Sequence, residues 1–458
     1  MRRRPRLRRH DLQRRHRPAR VGDGRRRCRP AAGDRLCPRS LGLAGPVTEQ
    51  EPPVSRKARK PRHSRASHGS SSAPPAPAVS PVLGVPAPAY GEGGLSDVLP
   101  SVAASIGVPG GVPRWALPPA RSAVVVLVDG LGYDLLRRRG GHAPWLRSLF
   151  DDGRRVVSGF PSTTASSMGS FGTGLVPGTH GMLGYEVLVP GEDRLLNELS
   201  WEDGPVPERW QPRATWFEKA AAAGIDVMRT GPGFFDGSGL TRAALRGGRF
   251  VAAKELDARI DATLAHARSQ PATLTYLYWG DLDKVGHVHG CESWQWGDEL
   301  ETIDRALARL ADGLPADCSL TITADHGMVD VPMADRIDVA HDAELAAGVR
   351  HTGGEARAPQ LYCEAGAADD VLATWRARIG DFAWVLSRDE AVATGLFGAV
   401  RPEHLARIGD VVVAMREARA VVDSRYQRPE LLALIGLHGS LTDDEVPVPM
   451  FHVPPKSN

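Results

Sequence analysis

The sequence predicts an α/β fold built on a largely parallel sheet, and three observations support this prediction. Residues 124–128 form an uninterrupted apolar run, rich in valine, that is typical of a strand buried on both faces. From about residue 95 onward, apolar strand segments alternate with amphipathic helical segments. Three predicted strands run into acidic clusters, and parallel sheets carry their functional groups at the carboxyl ends of strands.

The predicted elements follow one another in a regular order. They are a strand at 124–128, helices at 134–139 and 144–151, a strand at 156–160, a helix that starts within FPSTTAS, a helix at 216–223, a strand at 225–230, a helix at 254–268, a strand at 273–279, a helix at 299–311 and a strand at 319–323. Beyond residue 340, further short strands and a helix are consistent with a small subdomain at 340–425 within a folded domain at 95–455.

The N-terminal part of the chain has a different composition. Residues 1–40 contain sixteen arginines and three aspartates, so that the net charge of +3 hides a basic N-terminus and an acidic remainder. Residues 1–90 have few aromatic or β-branched side chains, and we expect them to form a disordered basic tail. A solvated tail fits this composition better than a nucleic-acid-binding arm does.

The cysteines and the hydropathy pattern bear on the location of the protein. Five widely spaced cysteines without a CxxC motif indicate neither a disulfide framework nor a structural zinc site. The sequence shows no apolar stretch of the roughly 18 residues that a membrane span needs. We therefore expect a cytoplasmic protein without a transmembrane segment.

Side chains suited to metal chemistry follow the predicted strands or lie in glycine-containing loops. They are Asp129, Thr164, Asp283, His287, Asp325, His326 and His438. Mixed aspartate and histidine sets suit zinc, which accepts both carboxylate oxygen and imidazole nitrogen. A helix cap or a surface turn would explain any single member, but the recurrence of such groups after successive strands favours a metal site.

Glycines and hydroxyl groups in these motifs predict local geometry. Gly286 would allow a tight bend that lets Asp283 and His287 face one ion, and Gly327 would supply a turn after Asp325 and His326. The hydroxyls of FPSTT are expected to cap the helix that starts there and to leave its first turn pointing at the carboxyl edge of the sheet.

The five motifs VDG, FPSTT, DLDKVGH, ADHGM and GLHGS, in this order, resemble the alkaline phosphatase superfamily, and above all its type I phosphodiesterase/nucleotide pyrophosphatase family. The resemblance spans about residues 123–451 and implies a three-layer α/β/α sandwich with two divalent metal ions, zinc being favoured. It implies that one ion is held by Asp283, His287 and His438, and the other by Asp129, Asp325, His326 and the nucleophile oxygen.

The same resemblance implies a reaction. Its nucleophile would be Thr164, with Thr163 or Ser162 as the other candidates, and the reaction would pass through a phosphothreonine intermediate. The substrate would be a small-molecule phosphoester, and no specific nucleic acid is expected as a partner.

Two departures from the family pattern bear on the substrate. Ala165 occupies the position where the nucleotide pyrophosphatases have an aromatic residue, and the asparagine expected after the segment at His180 is not evident. Hydrolysis of a phosphodiester or pyrophosphate remains the first prediction, with a phosphomonoesterase or phosphonate hydrolase as the alternative. An alternative of another class is a nucleic-acid-binding protein with a vestigial catalytic fold.

Overall fold

The computed structural model describes residues 84–269 and 271–456. Most of the expected basic tail falls on residues 1–83, which lie outside the described residues. Before residue 90 the chain already packs against the rest of the fold, because Val85 is fully buried. The Tyr90 hydroxyl also donates a hydrogen bond to the Leu396 carbonyl at 2.8 Å.

The strands are, in chain order, β1 Ser122–Val128, β2 Arg154–Val157, β3 Glu186–Leu188, β4 Leu195–Asn197, β5 Asp226–Gly231, β6 Arg249–Ala252, β7 Thr273–Trp279, β8 Cys318–Thr323, β9 Val329–Asp330, β10 Arg336–Asp338, β11 Val349–Glu355, β12 Ala358–Cys363, β13 Ala383–Ser387, β14 Val411–Met415, β15 Ala420–Val422, β16 Gly436–Leu437 and β17 Pro447–Val453.

The helices are α1 Val98–Ser105, α2 Tyr133–Arg139, α3 Pro144–Ser148, α4 Thr164–Thr173, α5 Pro177–His180, α6 Pro207–Trp210, α7 Trp216–Ala222, α8 Gly239–Ala244, α9 Leu256–Ala267, α10 Asp281–His289, α11 Trp294–Gly313, α12 Ala343–Ala346, α13 Ala368–Ile379, α14 Arg388–Ala393 and α15 Pro429–Leu432. Within the described ranges, no helix combines the length and the apolar character that crossing a membrane requires.

The central sheet has seven strands in the order β2-β17-β8-β1-β7-β5-β6. Strands β8, β1, β7, β5 and β6 pair in parallel, whereas β17 runs antiparallel to both of its neighbours. The apolar run that predicted a doubly covered strand lies in β1, which occupies the middle of the sheet and is buried along its whole length.

Helices cover both faces of this sheet, as two neighbouring residues of β7 demonstrate. The hydroxyl of Thr275 lies 2.7 Å from Nδ1 of His266 in α9. The ring of Tyr276, on the opposite face, packs against Phe171 of α4 and Phe217 of α7 at centroid distances of 5.4 and 5.6 Å. The predicted α/β/α sandwich with a mostly parallel sheet is therefore confirmed.

A second, antiparallel sheet is formed in the later part of the chain. Its strand order is β11-β12-β14-β13, and α13 packs on β13 and β14. An apolar cluster around the fully buried Trp375 lies between this sheet and α13. This sheet falls inside the range 340–425.

Candidate functional site

Three aspartates meet at the carboxyl edge of the central sheet because the strands that precede them are neighbours. Asp129 follows β1, Asp325 comes two residues after β8, and Asp283 lies in α10, which begins directly after the turn that ends β7. Asp129 and Asp325 are almost completely buried, and Asp283 is partly exposed. Oδ1 of Asp325 accepts a hydrogen bond from the amide of Gly130 at 3.2 Å, which ties the ends of β8 and β1 together.

The segment that contains Asp283 and His287 is a helix, so the expected bend at Gly286 was wrong. Positions i and i+4 share one face of α10, and Nε2 of His287 lies 3.3 Å from Oδ2 of Asp283. Gly286 instead allows close packing, since a Cβ at this position would lie 2.6 Å from Sδ of Met328.

Gly327 also serves close packing rather than a left-handed turn. A Cβ on Gly327 would lie 1.9 Å from the carbonyl oxygen of Asp444. The amides of Gly327 and Met328 donate hydrogen bonds to the carbonyls of Glu445 and Asp444, at 2.7 and 3.0 Å. The segment after Asp325 and His326 is thereby fixed against the chain that leads into β17.

The three histidines of the predicted set are oriented in the same way. In each ring Nδ1 lies within hydrogen-bond distance of a backbone carbonyl. The distance is 2.7 Å from His287 to the Gly436 carbonyl, 2.9 Å from His326 to the Gly327 carbonyl and 3.0 Å from His438 to the Ser162 carbonyl. A carbonyl only accepts, so Nδ1 carries the proton and Nε2 is available as a ligand atom. The rings of His326 and His438 stack with centroids 3.6 Å apart.

Three carboxylate oxygens at this edge lack a hydrogen-bond partner among the described residues. They are Oδ1 of Asp129, Oδ1 of Asp283 and Oδ2 of Asp325. Burying unpaired anionic oxygens is unfavourable unless a cation balances them. The donor set of carboxylate oxygen and imidazole nitrogen therefore fits a divalent metal ion.

The pKa values of the three aspartates reflect their burial and the short distances between their charges. Burial raises the pKa of Asp129 well above its usual range, and the nearby Asp325 and Asp283 raise it further. Burial and the charge of Asp283 likewise raise the pKa of Asp325 to about 7. Burial also acts to raise the pKa of Asp283, but His287, His326 and His438 outweigh it and hold that pKa below the usual range.

The ligand atoms form two compact groups, which differ from the predicted sets in one respect. Asp129, Asp325 and His326 form one group, as predicted. The other contains Asp283 and His438 with His326, whereas His287 contacts that group through Asp283.

Thr164 begins α4 and places its hydroxyl at this cluster, 3.1 Å from Nε2 of His326. The other two hydroxyl candidates are engaged elsewhere: Thr163 donates to the carboxylate of Glu355, and Ser162 donates to the Ser440 carbonyl at 2.8 Å. The expected hydroxyl cap was wrong, because no side chain caps α4. Its first turn therefore presents uncapped amides.

Sequence reasoning missed two residues that contact the site. The hydroxyl of Tyr278 donates a hydrogen bond to Oδ2 of Asp129 at 2.5 Å. Glu355 comes from β11 of the second sheet, and burial raises its pKa to about 8. Tyr278 stands at the end of a strand that precedes a predicted ligand, which is a usable signal. The position of Glu355 depends on how the second sheet packs, and no local motif predicts it.

Two cavities flank Thr164. One, of about 500 Å³, is bordered by Thr164, Asp129, Tyr278, Arg229 and Phe234 among others. The other, of about 370 Å³, is bordered by Thr164, Glu355, His438 and other residues. The predicted nucleophile therefore borders two cavities that can each hold a substrate group.

The chain is an α/β/α sandwich with a candidate metal site at the carboxyl edge of its central sheet, and comparison with known proteins identifies the family. A profile of the type I phosphodiesterase / nucleotide pyrophosphatase family matches residues 123–441. The chain belongs to this family, as the five motifs predicted.

Curated relatives match over short stretches. Ectonucleotide pyrophosphatase/phosphodiesterase family member 7 from Homo sapiens is 28% identical over 153 residues, which is 32% of this chain and 32% of the relative. The protein of the same name from Rattus norvegicus is 33% identical over 82 residues, 17% of this chain and 19% of the relative. The matched stretches thus span a third or less of these relatives.

Solved structures share the fold. Murine ectonucleotide pyrophosphatase/phosphodiesterase 5 has a TM-score of 0.57 at 17% identity, with 72% of this chain and 87% of that chain covered. An inactive variant of the same murine protein, in complex with AMP, has a TM-score of 0.58 at 18% identity, with 73% and 88% covered.

Proposed function

We propose that this chain is a metal-dependent phosphoric ester hydrolase that acts on phosphodiester or pyrophosphate bonds. The observation that carries the proposal is the meeting of two ligand groups at one edge of the sheet, which contain three carboxylate oxygens without partners in the described ranges. The Thr164 hydroxyl lies 3.1 Å from Nε2 of His326, which belongs to both groups. Membership of the type I phosphodiesterase / nucleotide pyrophosphatase family supports the same activity.

Two divalent cations would occupy the site, with zinc favoured by the donor set. The first ion is assigned to Asp283, His287 and His438, and the second to Asp129, Asp325, His326 and Oγ1 of Thr164. The two compact groups of ligand atoms support this division, and His326 lies close enough to contact either position.

The reaction uses Thr164 as the nucleophile. Oγ1 attacks the phosphorus, the bond to the leaving oxygen breaks, and water then hydrolyses the resulting phosphothreonine. When bound, the two cations supply Lewis acidity that lowers the pKa of the attacking hydroxyl and offsets the charge on the phosphate. The uncapped amides of α4 are placed to donate to phosphate oxygens, and the helix dipole favours the anion there.

Two features bear on the substrate. Two cavities that border Thr164 offer room for the two groups that a diester or pyrophosphate carries on its reacting phosphorus. A neighbour with the same fold was solved in complex with AMP, which makes a nucleotide a candidate. Ala165, in place of an aromatic side chain, removes one stacking surface for a base.

The test compares bis-p-nitrophenyl phosphate with p-nitrophenyl phosphate. We expect a higher kcat/KM for the diester, loss of turnover after chelation and recovery on addition of Zn²⁺. A clear preference for the monoester would favour the phosphomonoesterase alternative instead.

Thr164→Ala should lower kcat by roughly a thousandfold or more, because it removes the nucleophile. Thr163→Ala is the matched control and should keep most of the activity, since its hydroxyl is bonded to Glu355. Full activity in Thr164→Ala together with an inactive Thr163→Ala would refute the assignment.

A further inference from the structure

The larger cavity beside Thr164 contains a buried arginine that the proposed reaction does not use. Arg229 lies in β5 and lines this cavity together with Thr164 and Asp129. Only 8% of its surface is exposed. Because a guanidinium stays protonated in proteins, a positive charge is held inside the fold at the wall of the cavity.

The guanidinium lies over the ring of Phe250, 5.7 Å from the centroid, but its hydrogen bonding is incomplete. Its Nε donates a hydrogen bond to the Gly247 carbonyl at 2.9 Å. Its Nη1 is buried and has no hydrogen-bond partner in the described part of the chain. Burial lowers the pKa of Arg229, and Asp236 and Tyr276 offset this only in part. A buried cation without a full set of partners destabilises the fold, so another role for it is indicated.

A second buried arginine provides a contrast. Arg259 is 4% exposed, and its Nε, Nη1 and Nη2 donate to the carbonyls of Ala253, Tyr278 and Lys254 at 2.7–2.9 Å. Arg259 is therefore satisfied by the protein itself, and it does not line the cavity. Arg229, by contrast, lines the cavity and has a donor, Nη1, without a hydrogen-bond partner in the described ranges.

The sheet register relates Arg229 to the proposed site. Arg229 pairs with Tyr276 of β7, and Tyr278 lies two residues further on the same face, with its hydroxyl bonded to Asp129. β5 and β1 are separated by β7, a step of about 10 Å, and the register sets Arg229 level with Val125, which is about 13 Å before Asp129 along the strand. The cavity that Arg229, Asp129 and Thr164 all line bridges this separation.

We propose that Arg229 binds a second anionic group, a phosphate or a carboxylate, on the arm of the substrate that enters this cavity. The inference rests on the proposed function at Thr164 and adds a substrate class to it. The preferred substrates are phosphoesters that carry another negative charge away from the reacting phosphorus.

The test uses three p-nitrophenyl phosphodiesters whose second arm is a three-carbon chain ending in a phosphate, a carboxylate or a neutral carboxamide. The wild type should favour at least one anionic arm over the carboxamide in kcat/KM, roughly tenfold or more. Whichever anionic arm shows the preference identifies the group that Arg229 recognises.

Variants at Arg229 distinguish a loss of anion recognition from a general loss of activity. Arg229→Gln should bring the ratio of anionic to neutral turnover close to one, and Arg229→Lys should keep part of the preference because it keeps the charge. Arg259→Gln is the control at a similarly buried arginine and should leave this ratio unchanged. A wild-type ratio near one, or an equal ratio in the wild type and Arg229→Gln, would overturn the inference.

If the wild type hydrolyses none of the three diesters, the proposed function fails. The anion site at Arg229 is then tested by ligand binding instead of turnover. Propane-1,3-diyl bisphosphate should then raise the Tm of the wild type but not that of Arg229→Gln. An equal shift, or no shift, in both proteins would refute the anion site independently of turnover.

Discussion

The hydrogen bond from Tyr278 to Asp129 holds one of the proposed metal ligands in place. Tyr278→Phe keeps the ring and removes only this bond. We expect a loss of roughly tenfold to a hundredfold in Zn²⁺ affinity or in kcat/KM, the usual effect of removing a group that orients a ligand.

Tyr276→Phe is the matched control for that change. Tyr276 lies two residues earlier in β7, and its one hydrogen-bond contact through the hydroxyl within the described ranges is to Sδ of Met168, at 3.6 Å. The loss of Zn²⁺ affinity, measured by competition with a chromogenic chelator, should be much smaller in Tyr276→Phe than in Tyr278→Phe. Equal losses in the two variants would contradict the role of Tyr278.

Glu198 gives the protein a pH-dependent stability. It is fully buried and accepts hydrogen bonds from the amides of Leu183 and Gly184 next to Tyr185, which lines the larger cavity. Burial raises the pKa of Glu198 from 4.5 to about 7, despite a hydrogen bond from Trp210. The folded state therefore holds this proton to a higher pH than the unfolded state does.

The stability that comes from Glu198 is therefore complete below about pH 4.5 and is lost as the pH rises through about 7. Relative to Glu198→Gln, the wild type should lose at most about 3 kcal/mol of unfolding free energy between pH 4.5 and pH 8. Urea denaturation of both proteins between pH 4.5 and pH 8 measures this change in unfolding free energy. A pH-independent difference would contradict the raised pKa.

The proposed metal ligands could be named from sequence because each stands within a few residues of a strand end or a glycine, and their role as ligands stays a prediction. Thr164, by contrast, could not be distinguished from Thr163 by spacing alone. The distinction depends on Glu355, which comes from β11 and binds the Thr163 hydroxyl. No sequence pattern near residue 164 indicates such a long-range contact.

At the scale of elements, the segment between β8 and β9 positions Asp325 and His326 through a close backbone approach. Gly327→Ala should displace this segment, because its Cβ would lie 1.9 Å from the Asp444 carbonyl. We expect a loss of about 1–3 kcal/mol in unfolding free energy and a large loss of activity.

Gly141→Ala is the control for Gly327→Ala, since a Cβ there meets nothing within 4 Å and the backbone is not left-handed. Urea denaturation and diester turnover of both variants check the prediction. If Gly327→Ala behaved like Gly141→Ala, the close approach would not be what positions the ligands.

Elements with a clear apolar period were predicted well, and elements dominated by site residues were not. The strand at 273–279 has the predicted bounds, and the helix predicted at 299–311 extends over Trp294–Gly313. The helix α10 was missed because Gly286, the flanking Gly280 and Gly290, and several aspartates and histidines conceal its period. In the fold, Gly286 lies close to Met328, and His287 donates a hydrogen bond to the Gly436 carbonyl.

At the scale of the whole molecule, the family and the layered fold followed from the order of five motifs along the chain. We propose that the antiparallel sheet with its cluster around Trp375 is the small subdomain expected at 340–425. The boundary of the basic tail and the cytoplasmic location stay predictions. In the described ranges, Cys291, Cys318 and Cys363 are free and buried.

The metal content of the purified protein tests the central claim most directly. After loading with Zn²⁺ and dialysis, elemental analysis should find two zinc ions per chain in the wild type. His438→Gln should retain one, because His438 belongs to only one of the two ligand groups. A loaded wild-type protein that retains no metal would contradict the account.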